Sequence, residues 1–378
     1  MNAIKKLIQM KSFWSSVIFG PERKLSAITE VKGYQKLVDD ILLWLYELFP
    51  IPTESWELIN ASKNPQSEVF LFRQSNYSNI PEKIFIKRFI IKLENKNEMY
   101  WEGLKLESQA LKLITEFDDR YQICTPRIYG LNQDLCLMAT SYQEGQSFFN
   151  VLFESPIKVV IGNSRLGEFI KCLSNLGQWL KEVHSSKPLM PEKDNQVKAI
   201  LNKDLSGIEM RIDHLEKARP ADFPLAVCEK ILATSSDLVR RIMQDGPVLQ
   251  MVHGDFTLSN VLYNSGRLIL LDFATFGLGL PEDDLARIYL DFKNVESYSY
   301  MFSPEKRGSL VSAFFSGYGR EFGTNSNVYE MFYLMKHSII NIYMYTKHWG
   351  NRQFLNPFLC RLFYSFQKKF LFELLKKR

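Results

Sequence analysis

The sequence predicts an α+β fold in two lobes, a strand-rich N-lobe followed by a larger helical C-lobe. Three observations predict it. Short β-rich runs at 67–72 (SEVFLF) and 83–91 (KIFIKRFII) are separated by RQSNYSNIPE, with its Asn, Ser and Pro turn signals. After Tyr142 the apolar residues recur mainly at helical spacing. Within that helical region, 268–273 (LILLDF) is an apolar run with a carboxylate at its end, most simply a buried strand.

Residues 1–55 read as a helical extension. In it, 38–49 (VDDILLWLYELF) has helical apolar spacing, with Asp39 and Asp40 at the positive helix end and Pro50 and Pro52 as stops. Residues 56–141 form the N-lobe. They hold the two runs above, a helix over 97–117 with Leu104, Leu111 and Ile114 on one face, and short strands at 127–129 and 135–140. Residues 139–145 read as a connector. Residues 142–378 form the C-lobe, with a helix over 166–184, a polar Pro-bearing loop over 185–203, and helix throughout after Asp283. There is no internal repeat and no low-complexity tract.

Composition narrows the class. The 378 residues suffice for two lobes, and 46% hydrophobic content with moderate charge favours a packed core over disorder. A net charge of +5 suits anionic ligands but falls far short of a nucleic-acid-binding signature, so no nucleic-acid partner is expected. Cys124, Cys136, Cys172, Cys228 and Cys360 are scattered without a C-x-x-C pair, which suggests neither a zinc site nor a disulfide frame and fits a reducing compartment. No apolar run reaches the ~18 residues of a membrane span. Lys11 and Ser12 interrupt the N-terminus before a signal-peptide core develops. The chain reads as cytoplasmic. Its last residues, FYSFQKKFLFELLKKR, are amphipathic and basic. As a helix they either lie weakly on an anionic membrane surface, making the protein peripheral, or pack on their own domain.

The chemistry concentrates in 252–284, VHGDFTLSNVLYNSGRLILLDFATFGLGLPEDD. Asp255, Asn260 and Asp272 stand at short fixed spacings around two apolar runs. Phosphoryl transfer asks a protein for positioning and charge neutralisation more than covalent chemistry. Asp255 is the candidate base that takes the hydroxyl proton and aligns that oxygen. Asn260 and Asp272 offer one neutral and one anionic oxygen to Mg2+, which takes few carboxylates and completes its octahedron with phosphate and water. Gly254 permits a tight turn beside the base, and His253 braces the loop.

This segment resembles the aminoglycoside phosphotransferase and choline kinase-like family, a branch of the protein-kinase-like fold. The likeness rests on His253-Gly254-Asp255, on Asn260 five residues later, on Asp272 at a strand end, and on Pro281-Glu282-Asp283-Asp284-Leu285-Ala286. It covers residues 60–290. It implies that Asp284 begins a helix and supports the loop, which agrees with an N-cap reading. Upstream, Lys87 on a strand and Glu107 on the next helix suit the lysine–glutamate pair that holds ATP phosphates. Lys83, Arg88 and Lys92 are rivals of the lysine, and Glu102 of the glutamate. Residues 137–145 (LMATSYQEG) resemble the family's connector, with Ala139–Ser141 as backbone contacts to the adenine edge, Met138 lining the base pocket, and a glycine easing the turn. His184, ending WLKEVH, reads as structural.

Two features depart from the pattern. No G-x-G-x-x-G precedes Lys87; the corresponding turn, 60–67 (NASKNPQS), has no glycine. The motifs also leave the N-terminal extension unexplained. The acceptor end is aromatic and basic, with Tyr343, Tyr345, Lys347, His348, Trp349 and Arg352. Core packing explains the aromatics equally simply. The expected activity is ATP-dependent phosphorylation of a hydroxyl on a small molecule, a sugar, amino alcohol or glycan unit. The rival is a catalytically silent binding module of the same fold. A protein kinase is disfavoured by Gly254 in place of Arg and by the lack of an Ala-Pro-Glu after Phe273.

Overall fold

The computed structural model describes residues 32–63, 67–89, 97–115, 118–152, 164–187, 195–298, 304–323, 327–347 and 357–376. The chain forms two compact units. One combines the described part of Glu22–Gln146 with Val261–Phe276; the other combines the described parts of Ser147–Asn260 and Gly277–Arg378. The α+β class and the division into strand-rich and helical parts are as the sequence reads.

The strand-rich unit is built on a five-stranded sheet in the order β1-β2-β3-β6-β5. Its strands are β1 (Glu57–Lys63), β2 (Ser67–Arg73), β3 (Lys83–Phe89), β5 (Ile128–Asn132) and β6 (Leu137–Ser141), and every pairing is antiparallel. Alternation sends Ile84 and Ile86 of β3 to one face. There they meet Phe70, Phe72, Leu137 and Ala139, and helix α1 (Lys32–Leu48) covers them with Leu37, Ile41, Trp44 and Leu45. At ~1.5–3 kcal/mol per buried large apolar side chain, these four contacts make α1 part of the sheet's core. Of residues 1–55, the first 31 lie outside the described residues.

The segment 60–67, read as a turn, is strand from Asn60 to Lys63 and again from Ser67; residues 64–66 lie outside the described residues. Polar side chains on an edge strand imitate loop composition. Helix α2 (Asn97–Ile114) stops short of Phe117, which also lies outside the described residues. A small second sheet places β9 (Arg267–Leu270) between β4 (Ile123–Cys124), parallel, and β8 (Val261–Asn264), antiparallel. Ser265 and Gly266 close the β8–β9 hairpin with φ of 48° and 86°, the left-handed pair that a two-residue turn requires.

The helical unit contains α3 (Ser164–Ser185), α4 (Gln196–Ala218), α5 (Leu225–Gln244), α6 (Pro281–Tyr298), α7 (Pro304–Tyr318), α8 (Val328–Lys347) and α9 (Pro357–Lys376). Helix α4 occupies the end of the stretch read as a loop, 196–203. Helices α3 and α7 cross at Gly177 and Gly317, where a Cβ would stand 2.1 Å from the carbonyl oxygens of Phe314 and Ser174 respectively. A short ladder joins β7 (Gln250–Val252) to β10 (Gly277–Gly279). Helix α9 spends its apolar face inward through Cys360, Phe363, Tyr364, Leu371 and Leu374. Lys368 and Tyr364 both bind Asp222, at 2.7 and 2.6 Å. The apolar stripe of this helix is part of the core. No described helix is long and apolar enough to cross a membrane.

Candidate active site

In the strand-rich unit, Lys87 projects from β3 on the face opposite Ile86, beside its cross-strand partner Met138. Its Nζ donates to Glu107 Oε1 at 3.0 Å and Oε2 at 3.1 Å, and to Asp272 Oδ1 at 2.7 Å. Burial alone would lower the ammonium's pKa; Glu107 and Asp272 outweigh it and raise it. Burial likewise pushes Glu107 up, against the pull of Lys87. Of the rivals, Lys83 pairs with Glu144 at 2.9 Å and Arg88 with Glu68 at 3.0 Å. Lys92 lies outside the described residues. Strand β9 ends at Leu270, two residues before Asp272, which adopts φ 62°. That left-handed backbone, uncommon outside glycine, sets the carboxylate beyond the strand.

In the helical unit, Asp255 follows Gly254, whose φ is 80°. Asn260 Nδ2 donates to the Asp255 carbonyl at 2.9 Å and to Oδ2 at 3.2 Å. This directs the amide nitrogen to Asp255 and turns the amide oxygen the other way, the donor atom a hard cation takes. The second carboxylate oxygen of Asp255 pairs with Arg287 Nη1 from α6. The Asp255 N–H donates to His253 Nδ1 at 3.3 Å.

The loop is anchored from beneath. Asp284, fully buried, accepts the N–H groups of His253 at 2.7 Å and Gly254 at 2.8 Å. His184 Nε2 lies 3.1 Å from the same carboxylate, and its Nδ1 lies 2.8 Å from the Tyr318 hydroxyl. Helix α6 starts at Pro281, so Asp284 is its fourth residue and caps nothing; the loop amides take its oxygens instead. Asp291, two turns further along α6, accepts the Leu258 N–H at 2.8 Å. Burial, reinforced by the Asp255 charge, pushes its carboxyl up to about 7.

Met138 and Ala139 are buried on β6, an interior strand. Ser141 donates its N–H to the Arg127 carbonyl at 2.8 Å, and its hydroxyl accepts from the Arg127 N–H at 2.9 Å. Residues 142–145 lie beyond the strand. Gly145 is needed there for space: a Cβ would stand 3.0 Å from Leu262 Cβ and 3.1 Å from the Tyr263 carbonyl oxygen.

Sequence reading missed a second cluster in the helical unit. Lys336 of α8 bridges Asp204 of α4 at 2.8 Å and Asp283 of α6 at 3.0 Å, and His337 also bonds Asp283. Burial would raise Asp283, but Lys336 and His337 hold it far below the usual carboxylate range. Burial and the Arg287 charge push His337 down to about 3. These contacts join residues more than fifty positions apart, so no local spacing reports them. At the acceptor end, Tyr343 meets His214 edge-on at 5.0 Å and carries Arg211 and Lys347 over its ring, each at 5.7 Å. His348, Trp349 and Arg352 lie outside the described residues. Among the described residues no three His, Cys, Asp or Glu side chains gather into a metal cage.

A family model described as the phosphotransferase enzyme family matches residues 125–327, more than half of the chain. The chain belongs to this family and is a phosphotransferase. Its fold is similar to that of a choline kinase from Cryptosporidium parvum, with a TM-score of 0.51 at 12% identity over 90% of this chain and 95% of that one. An ethanolamine kinase from Plasmodium vivax gives 0.50 at 12% identity over 89% and 88%. A choline kinase from Streptococcus pneumoniae gives 0.49 at 14% identity over 91% and 100%. No curated protein matches the sequence.

Proposed function

We propose that this phosphotransferase moves the γ-phosphate of ATP to a hydroxyl of a small molecule, a sugar, amino alcohol or glycan unit. The observation that carries the reading is the setting of Asp255. Its carboxylate is half-exposed, oriented by Asn260 and Arg287, on a loop whose amides are held by buried Asp284. A base so fixed meets a hydroxyl without first searching for its conformation. Asp255 accepts the hydroxyl proton at its carboxylate and aligns the oxygen. Lys87, held by Glu107, neutralises phosphate charge. Asn260 and Asp272 are the oxygen donors proposed for Mg2+. The metal–nucleotide complex, when bound, supplies the transferable phosphoryl group and screens its charge. Met138 flanks the adenine, whose polar edge meets backbone from Ala139 and Ser141 onward into 142–145. The donor places the reaction in the cytoplasm.

A silent binding module is the second reading, favoured by one contact: Arg287 occupies an oxygen of the proposed base. The test is a screen of hydroxyl compounds with labelled ATP, alongside thermal melting with ATP and magnesium. The enzyme reading expects transfer to at least one compound and stabilisation by ATP that requires magnesium and is lost in Asp272→Ala. Stabilisation without transfer favours the silent module; neither result contradicts both.

A further inference from the structure

We propose that Asp291 is a positioning residue for the metal site: through the Leu258 amide it fixes the short turn that carries Asn260. The inference rests on the proposed function, in which the Asn260 amide oxygen is a donor to Mg2+. The turn is a 3-10 helix over Leu258–Asn260. The first N–H groups of a helical turn have no partner inside it. Leu258 is fully buried, so water cannot serve its N–H. The acceptor that does serve it, Asp291 Oδ2 at 2.8 Å, comes from α6, thirty-three residues later. The Leu258 carbonyl has a weaker hold, the Ser147 hydroxyl at 3.5 Å. Asn260 follows two residues on, at ~2.0 Å of rise per residue in such a turn, so a displacement of Leu258 carries it along. Its own N–H closes the turn on the Thr257 carbonyl at 3.0 Å, and its side-chain nitrogen returns to the Asp255 carbonyl at 2.9 Å. The amide oxygen is therefore aimed by a turn whose first donor depends on Asp291.

Asp291 is the last of three α6 side chains that grip the loop in order. Positions 284, 287 and 291 recur at i, i+3 and i+7, which is one face of a helix. Asp284 holds the amides of His253 and Gly254, Arg287 holds the Asp255 carboxylate, and Asp291 holds the Leu258 amide. The order along the helix follows the order along the loop. The first contact fixes the entering backbone, the second the base, and the third the turn of the metal donor. Leu285, Ile288 and Phe292 of the same helix are buried apolar residues that seat it in the core, so its polar face is a rigid template. An Asn at 291 keeps an acceptor oxygen in place; a Leu does not. The stranded Leu258 donor must then reach water, and the turn opens to let it.

The test has two arms on the full chain, in wild type, Asp291→Asn, Asp291→Leu and Leu290→Ala. The last variant cuts a cavity beside buried Leu290 on the same helix and reports what lost stability alone does. In the first arm, amide hydrogen exchange at Leu258 is followed by mass spectrometry with fragmentation, with no ligand added. In the second, Mn2+ is titrated by electron paramagnetic resonance with ADP present, and ADP binding is measured without metal. Asp291→Leu is expected to speed Leu258 exchange and to raise the Mn2+ dissociation constant, each about tenfold, the worth of one hydrogen bond. Its metal-free ADP affinity is expected to be unchanged. Asp291→Asn is expected to match wild type in both arms, and Leu290→Ala to melt earlier with Mn2+ binding intact. Should Asp291→Leu not fold, Asp291→Ala carries the same expectation. Wild-type Leu258 exchange or wild-type Mn2+ affinity in Asp291→Leu would overturn the inference and leave the kinase reading standing. Equal weakening of Mn2+ in Leu290→Ala would also overturn it, by reducing Asp291 to a structural residue. A wild type that binds no Mn2+ with ADP would contradict the proposed metal site and the inference together.

Discussion

Asp284 accepts the backbone N–H of His253 at 2.7 Å across thirty-one residues of sequence. A buried carboxylate on α6 thus holds the loop that presents Asp255, and the adjacent Gly254 N–H and His184 use the same group. Charge-assisted bonds to backbone donors are short and strong, and their loss leaves donors buried without water.

Asp284→Ala therefore strands two amides and one imidazole. Each unsatisfied group costs ~1–3 kcal/mol, so a loss of roughly 3 kcal/mol or more is expected in chemical unfolding. Turnover is expected to fall more than ATP affinity, because the loop positions the base. Wild-type unfolding and wild-type turnover in this variant would remove Asp284 from the account.

Lys87 and Glu107 form a buried pair in which each partner is costly alone. Lys87→Met leaves the Glu107 carboxylate enclosed without its cation, which costs ~3–5 kcal/mol. Adding Glu107→Gln is expected to restore part of that loss. A double-mutant cycle in urea should return a coupling of roughly 1–3 kcal/mol. Simple additivity would contradict the pairing.

Asp291 gives a pH signature. Its carboxyl stands at about 7 in the folded chain against an ordinary 3.8, so the folded state keeps a proton the unfolded state has lost. Where the folded state binds more protons, stability falls as pH rises. The fall begins at the ordinary value and ends near 7. In Asp291→Asn this slope is absent, and the Asn oxygen still accepts the Leu258 N–H. Melting curves from acid to mildly alkaline pH should show the variant gaining on wild type by ~1–3 kcal/mol. Parallel curves would show that Asp291 does not titrate there.

Much of this arrangement is legible in the chain because its parts are local. His253, Gly254, Asp255 and Asn260 lie within eight positions, and β9 ends just before Asp272. Lys87 and Glu107 are twenty apart but each sits on an element with a plain period, β3 and α2. What escapes is of two kinds. Strand β1 presents Asn60 and Ser62 at the sheet edge, and polar edge strands read as turns. Arg287, Asp291 and Lys336 are charged residues on helices, where solvent is the usual destination; helix packing alone brings Arg287 to Asp255, Asp291 to the Leu258 amide and Lys336 to Asp204 and Asp283. The shift of Asp284 from cap to fourth helical residue follows from Pro281, which begins α6.

The central claim is that Asp255 is the base of a phosphotransferase. The most direct measurement is phosphate transfer from ATP by Asp255→Asn beside wild type, with ATP binding measured on both. The account expects turnover to fall ~10²–10⁴-fold with ATP affinity and melting temperature unchanged. Transfer by the variant at the wild-type rate would contradict it.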